Sequence, residues 1–377
     1  MKKILSILLA IVIACSVSVT AFAATGTLNF NEKKTVTVNL DSSKIYKFKA
    51  PEQAVYVLKA KLISDCAVVY VDIFHGEYHV NGSGIYYYTD VYYDENGNEK
   101  YDKVVNDAEL YFCAEKGSSF EIELYNSSED GSYQTQKAKV ELTVTKFDAK
   151  TAKVGKNTVS KNGNIFVFVP DKSGLYNFRS SATGMIDPYI EVNDINGTLS
   201  YNDDNGYEND LNFDLTVNLK KGKIYALRCE TYTSDFEASE PSKGYSFKIA
   251  YNKDIKAEQI SLDWYGAEDE FTLAKGDDMF YTINVVPTGA LPTSKFTAVS
   301  SNEKVATVEV DDEGILYIEA KKMGKTTVTV YEANGASAEY TIVVVPKIVR
   351  IANDIIDSIR MFFMSIMYTI MGWFMFN

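Results

Sequence analysis

The sequence predicts an all-β protein built as tandem β-sandwiches, followed by a hydrophobic helix at its C-terminal end. Three observations lead there. The 377-residue chain holds 27 Tyr but only 2 His and 2 Trp, and a Tyr- and Thr-rich, Pro-poor composition suits pleated, half-buried surfaces. Short alternating runs at 35–38, 44–48, 68–73, 120–125 and 140–144 are separated by turn clusters such as Asn81-Gly82-Ser83-Gly84, the pattern of strands joined by tight turns. No window before the tail carries a helical period, so packed sheets are the expected architecture. The length allows two or three domains at roughly 150 residues each.

The chain begins with Lys2 and Lys3, an apolar run from Ile4 to about Val19, and the small-residue exit Ala21-Phe22-Ala23. A positive start, an apolar middle and small residues at the end make a secretory leader, with cleavage expected after Ala23. A retained membrane helix and a lipidated Cys15, in Val12-Ile13-Ala14-Cys15, are the alternatives. Losing Lys2 and Lys3 takes the formal charge from −13 to −15. So acidic a surface repels phosphate backbones and anionic lipid, which argues against nucleic-acid binding. Three cysteines then remain, Cys66, Cys113 and Cys229. An odd, widely spaced set makes no disulfide framework. Buried free thiols are the favoured reading, with a Cys66–Cys113 pair as the alternative.

Residues 24–150 and 151–254 read as two copies of one module. Ile45-Tyr46-Lys47-Phe48, Pro51 and Tyr56 align with Ile165-Phe166-Val167-Phe168, Pro170 and Tyr176. Tyr70-Val71-Asp72-Ile73 aligns with Tyr189-Ile190-Glu191-Val192, and Glu115-Lys116-Gly117 with Lys220-Lys221-Gly222. The same motifs in the same order mark a repeated unit. In the second copy, Phe168-Val169-Pro170, Ser173-Gly174-Leu175-Tyr176, Asp187-Pro188-Tyr189-Ile190, Asn202-Asp203-Asp204 and Leu219-Lys220-Lys221-Gly222 resemble the bacterial pre-peptidase C-terminal (PPC) domain. That resemblance implies a small jelly-roll-like β-sandwich of the kind appended to secreted proteins. The first copy lacks the paired aspartates and carries Ala54-Val55-Tyr56 in place of the glycine turn, so its assignment rests on the repeat.

Residues 255–346 resemble a bacterial immunoglobulin-like domain of group 2 (BIG2). The residues are Ser300-Ser301-Asn302-Glu303-Lys304-Val305-Ala306-Thr307-Val308, Asp312-Glu313-Gly314-Ile315-Leu316, Gly324-Lys325-Thr326-Thr327-Val328-Thr329-Val330 and Asn334-Gly335. Asn-Gly suits a hairpin because both residues tolerate positive φ. The resemblance implies a seven-stranded sandwich used as a spacer or adhesive unit, without catalysis. Ala298 departs from it, standing where the family often carries Trp.

In residues 347–377, Ile348, Ile351, Ile355, Ile359, Phe363 and Ile366 recur at helical spacing, and no charge follows Arg360. The uncharged run is about 24 Å long as a helix, slightly short of a bilayer core. Membrane association through Phe362, Phe363, Ile366, Ile370, Trp373 and Phe374 is expected, as an embedded or interfacial tail. A self-association helix and a buried packing helix are the alternatives.

No catalytic motif stands out, although 51 acidic residues leave a paired-carboxylate site open. His75-Gly76-Glu77-Tyr78-His79 holds both histidines, but not at the helical spacing of a metalloprotease, and zinc needs three or four convergent ligands. No nucleophile elbow or phosphate-cradling loop occurs. The chain is therefore expected not to be an enzyme and to need no cofactor, calcium excepted. Asp203, Asp204 and Asp210 lie in Tyr201-Asn202-Asp203-Asp204-Asn205-Gly206-Tyr207-Glu208-Asn209-Asp210, a stretch whose hard oxygens suit calcium. Such turns are also common for conformational reasons alone. Tyr86, Tyr88 and Tyr92 are candidates for stacking on sugar rings.

The expected role is a secreted or cell-surface modular protein for adhesion or for presenting binding modules. Its partner would be a surface glycan or a protein, with the membrane reached through the tail. The alternative is a carbohydrate- or peptide-binding accessory of a secreted hydrolase system. N-terminal sequencing of the exported protein checks the leader: Ala24 is the expected first residue, and an intact Met1 contradicts it.

Overall fold

The computed structural model describes residues 26–64, 67–93, 99–127, 137–183, 186–231, 243–251, 254–262 and 270–349. The expected leader, Cys66 and the six apolar positions expected to meet a membrane lie outside them. Within them the regular secondary structure is almost all strand, arranged as three β-sandwiches.

The first contains β1 (Gly26–Thr27), β2 (Lys34–Asn39), β3 (Ser42–Lys49), β4 (Ala54–Leu62), β5 (Ala67–His75), β6 (Tyr78–Tyr93), β7 (Glu99–Asn106), β8 (Ala108–Ala114), β9 (Ser119–Asn126) and β10 (Lys137–Lys146). One sheet runs β1-β3-β9-β5-β6-β7 and the other β2-β10-β4-β8. The second contains β11 (Lys150–Thr151), β12 (Gly155–Thr158), β13 (Asn164–Phe168), β14 (Gly174–Ser181), β15 (Pro188–Asp194), β16 (Gly197–Asn202), β17 (Asp214–Leu219), β18 (Tyr225–Thr231) and β19 (Ser246–Tyr251). Its sheets run β11-β13-β18-β15-β16 and β12-β19-β14-β17. The two orders superimpose strand for strand, down to the short parallel first strand in each. Only β7 has no counterpart. The repeat read from residue spacing is therefore a repeat of topology.

Its centre is a pair of tyrosines. Tyr56 and Tyr176 are fully buried. The Tyr56 hydroxyl donates to the Glu52 carbonyl at 2.9 Å and the Tyr176 hydroxyl to the Lys172 carbonyl at 3.0 Å. A buried phenol needs a partner for its hydroxyl, and the backbone four residues upstream supplies it, pinning the chain as it enters the strand. Phe48 and Phe112 surround Tyr56, and Phe168 lies edge-on to Tyr176.

The third sandwich contains β20 (Gln259–Leu262), β21 (Glu270–Ala274), β22 (Asp278–Val286), β23 (Phe296–Ser300), β24 (Ala306–Val310), β25 (Ile315–Ala320), β26 (Gly324–Glu332) and β27 (Ser337–Val345). A 3-10 turn, Thr288–Thr293, follows β22. The sheets run β20-β22-β25-β24 and β21-β27-β26-β23, with β21 parallel to β27. Ala298 is half-buried at the edge of this core, whose aromatic volume comes from Phe271, Tyr281, Phe296 and Tyr340. Asn334-Gly335 does turn the β26–β27 hairpin: Gly335 has φ +123°, and the buried Glu332 carboxylate accepts from the Asn334 backbone N–H.

Neighbouring sandwiches are joined by packed surfaces. Val55 and Cys113, on the outer face of the first, are buried against Ile224 and Ala226 of the second. The His75 ring Nδ1 is 2.8 Å from Asn196 Oδ1 across the same junction. Gly197, at φ +108°, lets the β15–β16 turn approach the His79 and Val80 carbonyls, where a Cβ would crowd both. Cys113 and Cys229 are free and buried, and burial pushes both thiols up, as expected of structural rather than reactive cysteines.

Tyr56→Phe and Tyr176→Phe should each cost about 1 kcal/mol, the net value of one buried hydrogen bond. Because the two sites lie in separate cores, the double variant should cost their sum. Urea denaturation of the three variants measures this.

Candidate functional site

The acidic stretch 201–210 proves to be part of the joint between the second and third sandwiches. The Thr288 hydroxyl donates to the Asp204 and Asp214 carbonyls at 3.2 and 2.9 Å, and its backbone N–H donates to the Asn205 carbonyl at 3.0 Å. Gly289 lies so close to the Asp214 carboxylate that any side chain there would clash. The three expected calcium ligands are divided by this arrangement. Asp210 accepts from the Asn212 backbone at 3.1 Å and from the Asn212 and Asn205 side-chain amides. Burial works to raise its pKa, but the bonds from Asn212 and Asn205 outweigh it and hold the carboxyl below its ordinary range. Among the described residues no three His, Cys, Asp or Glu side chains stand together as a metal-binding group.

Asp203 and Asp204 instead face Asp187, which precedes β15. Burial, with the neighbouring charges of Asp204 and Asp203, pushes Asp187 up to about 6. Asp204 is raised as well, by burial and then by Asp203 and Asp210. Asp187 Oδ1 and Asp204 Oδ1 are both buried without a hydrogen-bond partner, so two carboxylates here carry uncompensated charge. Asp187 is distant in sequence from 203–204, and only the β15–β16 pairing brings it alongside.

Tyr86, Tyr88 and Tyr92 fall at same-parity positions of β6, opposite Asn106, Val104 and Lys100 of β7. Tyr86 is half-buried; the side chains of Tyr88 and Tyr92 lie outside the description. The histidines hold structural positions in a tight hairpin that turns at Gly76: His75 bonds Asn196, and His79 Nε2 is 2.9 Å from Asp72 Oδ1.

A more exposed aromatic surface occurs on the third sandwich. Phe280 of β22 lies directly opposite Tyr317 of β25, and Glu309 of β24 continues the row. Phe280 is 71% exposed and Tyr317 47%. The Tyr317 hydroxyl donates to Asp311 Oδ2 at 3.1 Å, which fixes the ring's direction. The rings border a hollow of about 440 Å³ rimmed by Asp278, Thr307 and Glu319. The signal for Phe280 was present in the sequence: it occupies the polar phase of an alternating strand, between Asp278 and Thr282. A large aromatic there either meets a neighbour or faces out.

The sequence profile described as "Pilus formation protein N terminal region" matches residues 292–345, the stretch carrying β23 to β27. No curated protein matches the chain. Solved structures similar to it include domains 4 and 5 of the S-layer protein SbsC, at 18% identity over 34% of this chain and 69% of that one, with TM-score 0.22. A putative secreted protein from Eubacterium rectale is similar at 9% identity over 61% of this chain and 80% of that one, with TM-score 0.19. The human MASP-1/3 CUB1-EGF-CUB2 fragment is similar at 7% identity over 58% and 100%, with TM-score 0.17.

Because Asp187 titrates at about 6 rather than 3.8, its contribution to stability is fully present below about 4 and is lost as pH rises through 6. Asp187→Asn should therefore raise Tm at pH 7 and leave it nearly unchanged at pH 4. Calorimetry at the two pH values measures the difference.

Proposed function

We propose that this chain is a non-catalytic modular protein of the bacterial cell surface or its surroundings, acting as a stiff spacer with adhesive outer faces. The observation that carries the reading is the pair of packed junctions. Val55 and Cys113 against Ile224 and Ala226, and Thr288 against the 204–214 backbone, tie three sandwiches into one unit. Domains on free linkers swing, whereas apolar and hydrogen-bonded interfaces hold a fixed geometry. The secretory leader and the pilus-protein profile over 292–345 support an extracellular setting. In this reading the first two sandwiches are PPC-like copies and the third a BIG2-like domain. The apolar tail retains the protein at the envelope.

Both histidines are committed to structural contacts, which supports the non-catalytic reading. Among the described residues no helix is long and apolar enough to cross a membrane. The exposed Phe280–Tyr317 pair favours a second reading, a carbohydrate-binding accessory, because ring faces beside carboxylates match a sugar's apolar face and hydroxyls.

Fractionation of the producing cell tests the first reading. The full chain should sediment with the envelope, and a chain ended at residue 346 should appear in the medium; release of both would remove the anchor. A glycan array tests the second: signal lost in Phe280→Ala, with the melting temperature unchanged, supports it, and an array without signal removes it.

A further inference from the structure

The second sandwich carries a basic row on a protein that is otherwise strongly acidic. Lys156 of β12, Lys248 of β19 and Arg179 of β14 stand directly opposite one another across three adjacent strands. All three are exposed on the outer face of the sheet. Like charges placed opposite one another on neighbouring strands repel, so the arrangement lacks a rationale in the stability of the sheet itself. Arg179 is partly compensated: its Nε lies 3.9 Å from Asp214 Oδ2, and Asp210 lines the same hollow. Lys156 and Lys248 have no ion pair among the described residues.

The row borders a hollow of about 550 Å³, whose lining includes Ser181, Ser246 and Asn212. A second hollow of about 360 Å³ shares Lys156, Ser181 and Ser246 with it and continues to Thr158 and Gly244. On the same sheet face the row of cations lies beside a second cross-strand row, Thr158, Ser246 and Ser181, and the two hollows run along both as a groove. The first hollow alone falls within the size range of small-ligand sites. A bare anion would use the lysines and leave the hydroxyls idle. A polyhydroxylated chain offers a donor and an acceptor at every hydroxyl, which matches serine and threonine hydroxyls that likewise donate and accept.

We propose that this groove binds a polyhydroxylated anionic polymer, whose carboxylate or phosphate groups meet Lys156, Lys248 and Arg179 while its hydroxyls lie along Thr158, Ser181 and Ser246. Uronic-acid chains and polyol-phosphate chains share this chemistry. The groove is separate from the Phe280–Tyr317 surface and does not depend on it.

The test is calorimetric titration of the whole mature protein at low salt with five probes: a uronic-acid trimer, a glycerol-phosphate oligomer, a neutral glucose trimer, inorganic phosphate and a glutamate hexapeptide. At least one of the first two should bind, weaken as salt screens the charges, and lose about tenfold in affinity for each lysine removed in Lys156→Gln and Lys248→Gln. Which of the two binds tells a uronate source from a polyol phosphate. An unchanged melting temperature in the variants guards against misfolding. The proposal is overturned if neither oligomer binds, if the neutral trimer or phosphate alone binds as tightly, if the glutamate peptide binds better, or if the double variant binds as the parent does.

Discussion

The paired strands of each sandwich must bury one face, and that single demand organises the rest. A sandwich consumes its inner faces as core, so alternate residues along each strand are committed before any function can be assigned. In the first two sandwiches the commitment is anchored by the same device, a fully buried tyrosine whose hydroxyl reaches a carbonyl four residues upstream. Removing either ring would empty a core; removing either hydroxyl bond would free the strand entry. What remains for recognition is the outer faces, the edges and the turns.

The outer faces have been used in three different ways. On the first sandwich, Val55 and Cys113 make part of that face apolar, and the second sandwich covers it. On the second, three cations stand abreast above a hydroxyl-lined hollow. On the third, Phe280 and Tyr317 are left in solvent, one of them aimed by a hydrogen bond to Asp311. Repeated topology thus carries unrepeated surfaces, as expected when a fold is constrained by its core and function by its exposed residues.

The acidic loops show how one composition serves opposite ends. Asp210 is stabilised as a charged acceptor by Asn205 and Asn212, while Asp187 and Asp204 are destabilised by burial and by neighbouring carboxylates, Asp204 and Asp203 for the first and Asp203 and Asp210 for the second. The first kind fixes a turn. The second stores charge that a lower pH relieves. Both lie beside the joint with the third sandwich, where Thr288 holds the loop through its backbone.

The sequence by itself determined the all-β class, the repeat, and the turn at Asn334-Gly335, because period-two burial and turn chemistry are local properties of the chain. It also placed Tyr56 and Tyr176 in equivalent positions. The partners of Asp210, Asn205 and Asn212, were near in sequence yet not legible as partners until the loop closed. The sequence by itself passed over Phe280, although its polar-phase position was readable, and over Lys156, Arg179 and Lys248, and it marked Asp187 only as part of a family motif. Their significance lies in which strands pair: Lys156 and Lys248 are far apart along the chain and opposite one another in the sheet. Only the tertiary structure decided those neighbours, since strand register joins residues by hydrogen bonds between segments that the linear order does not pair.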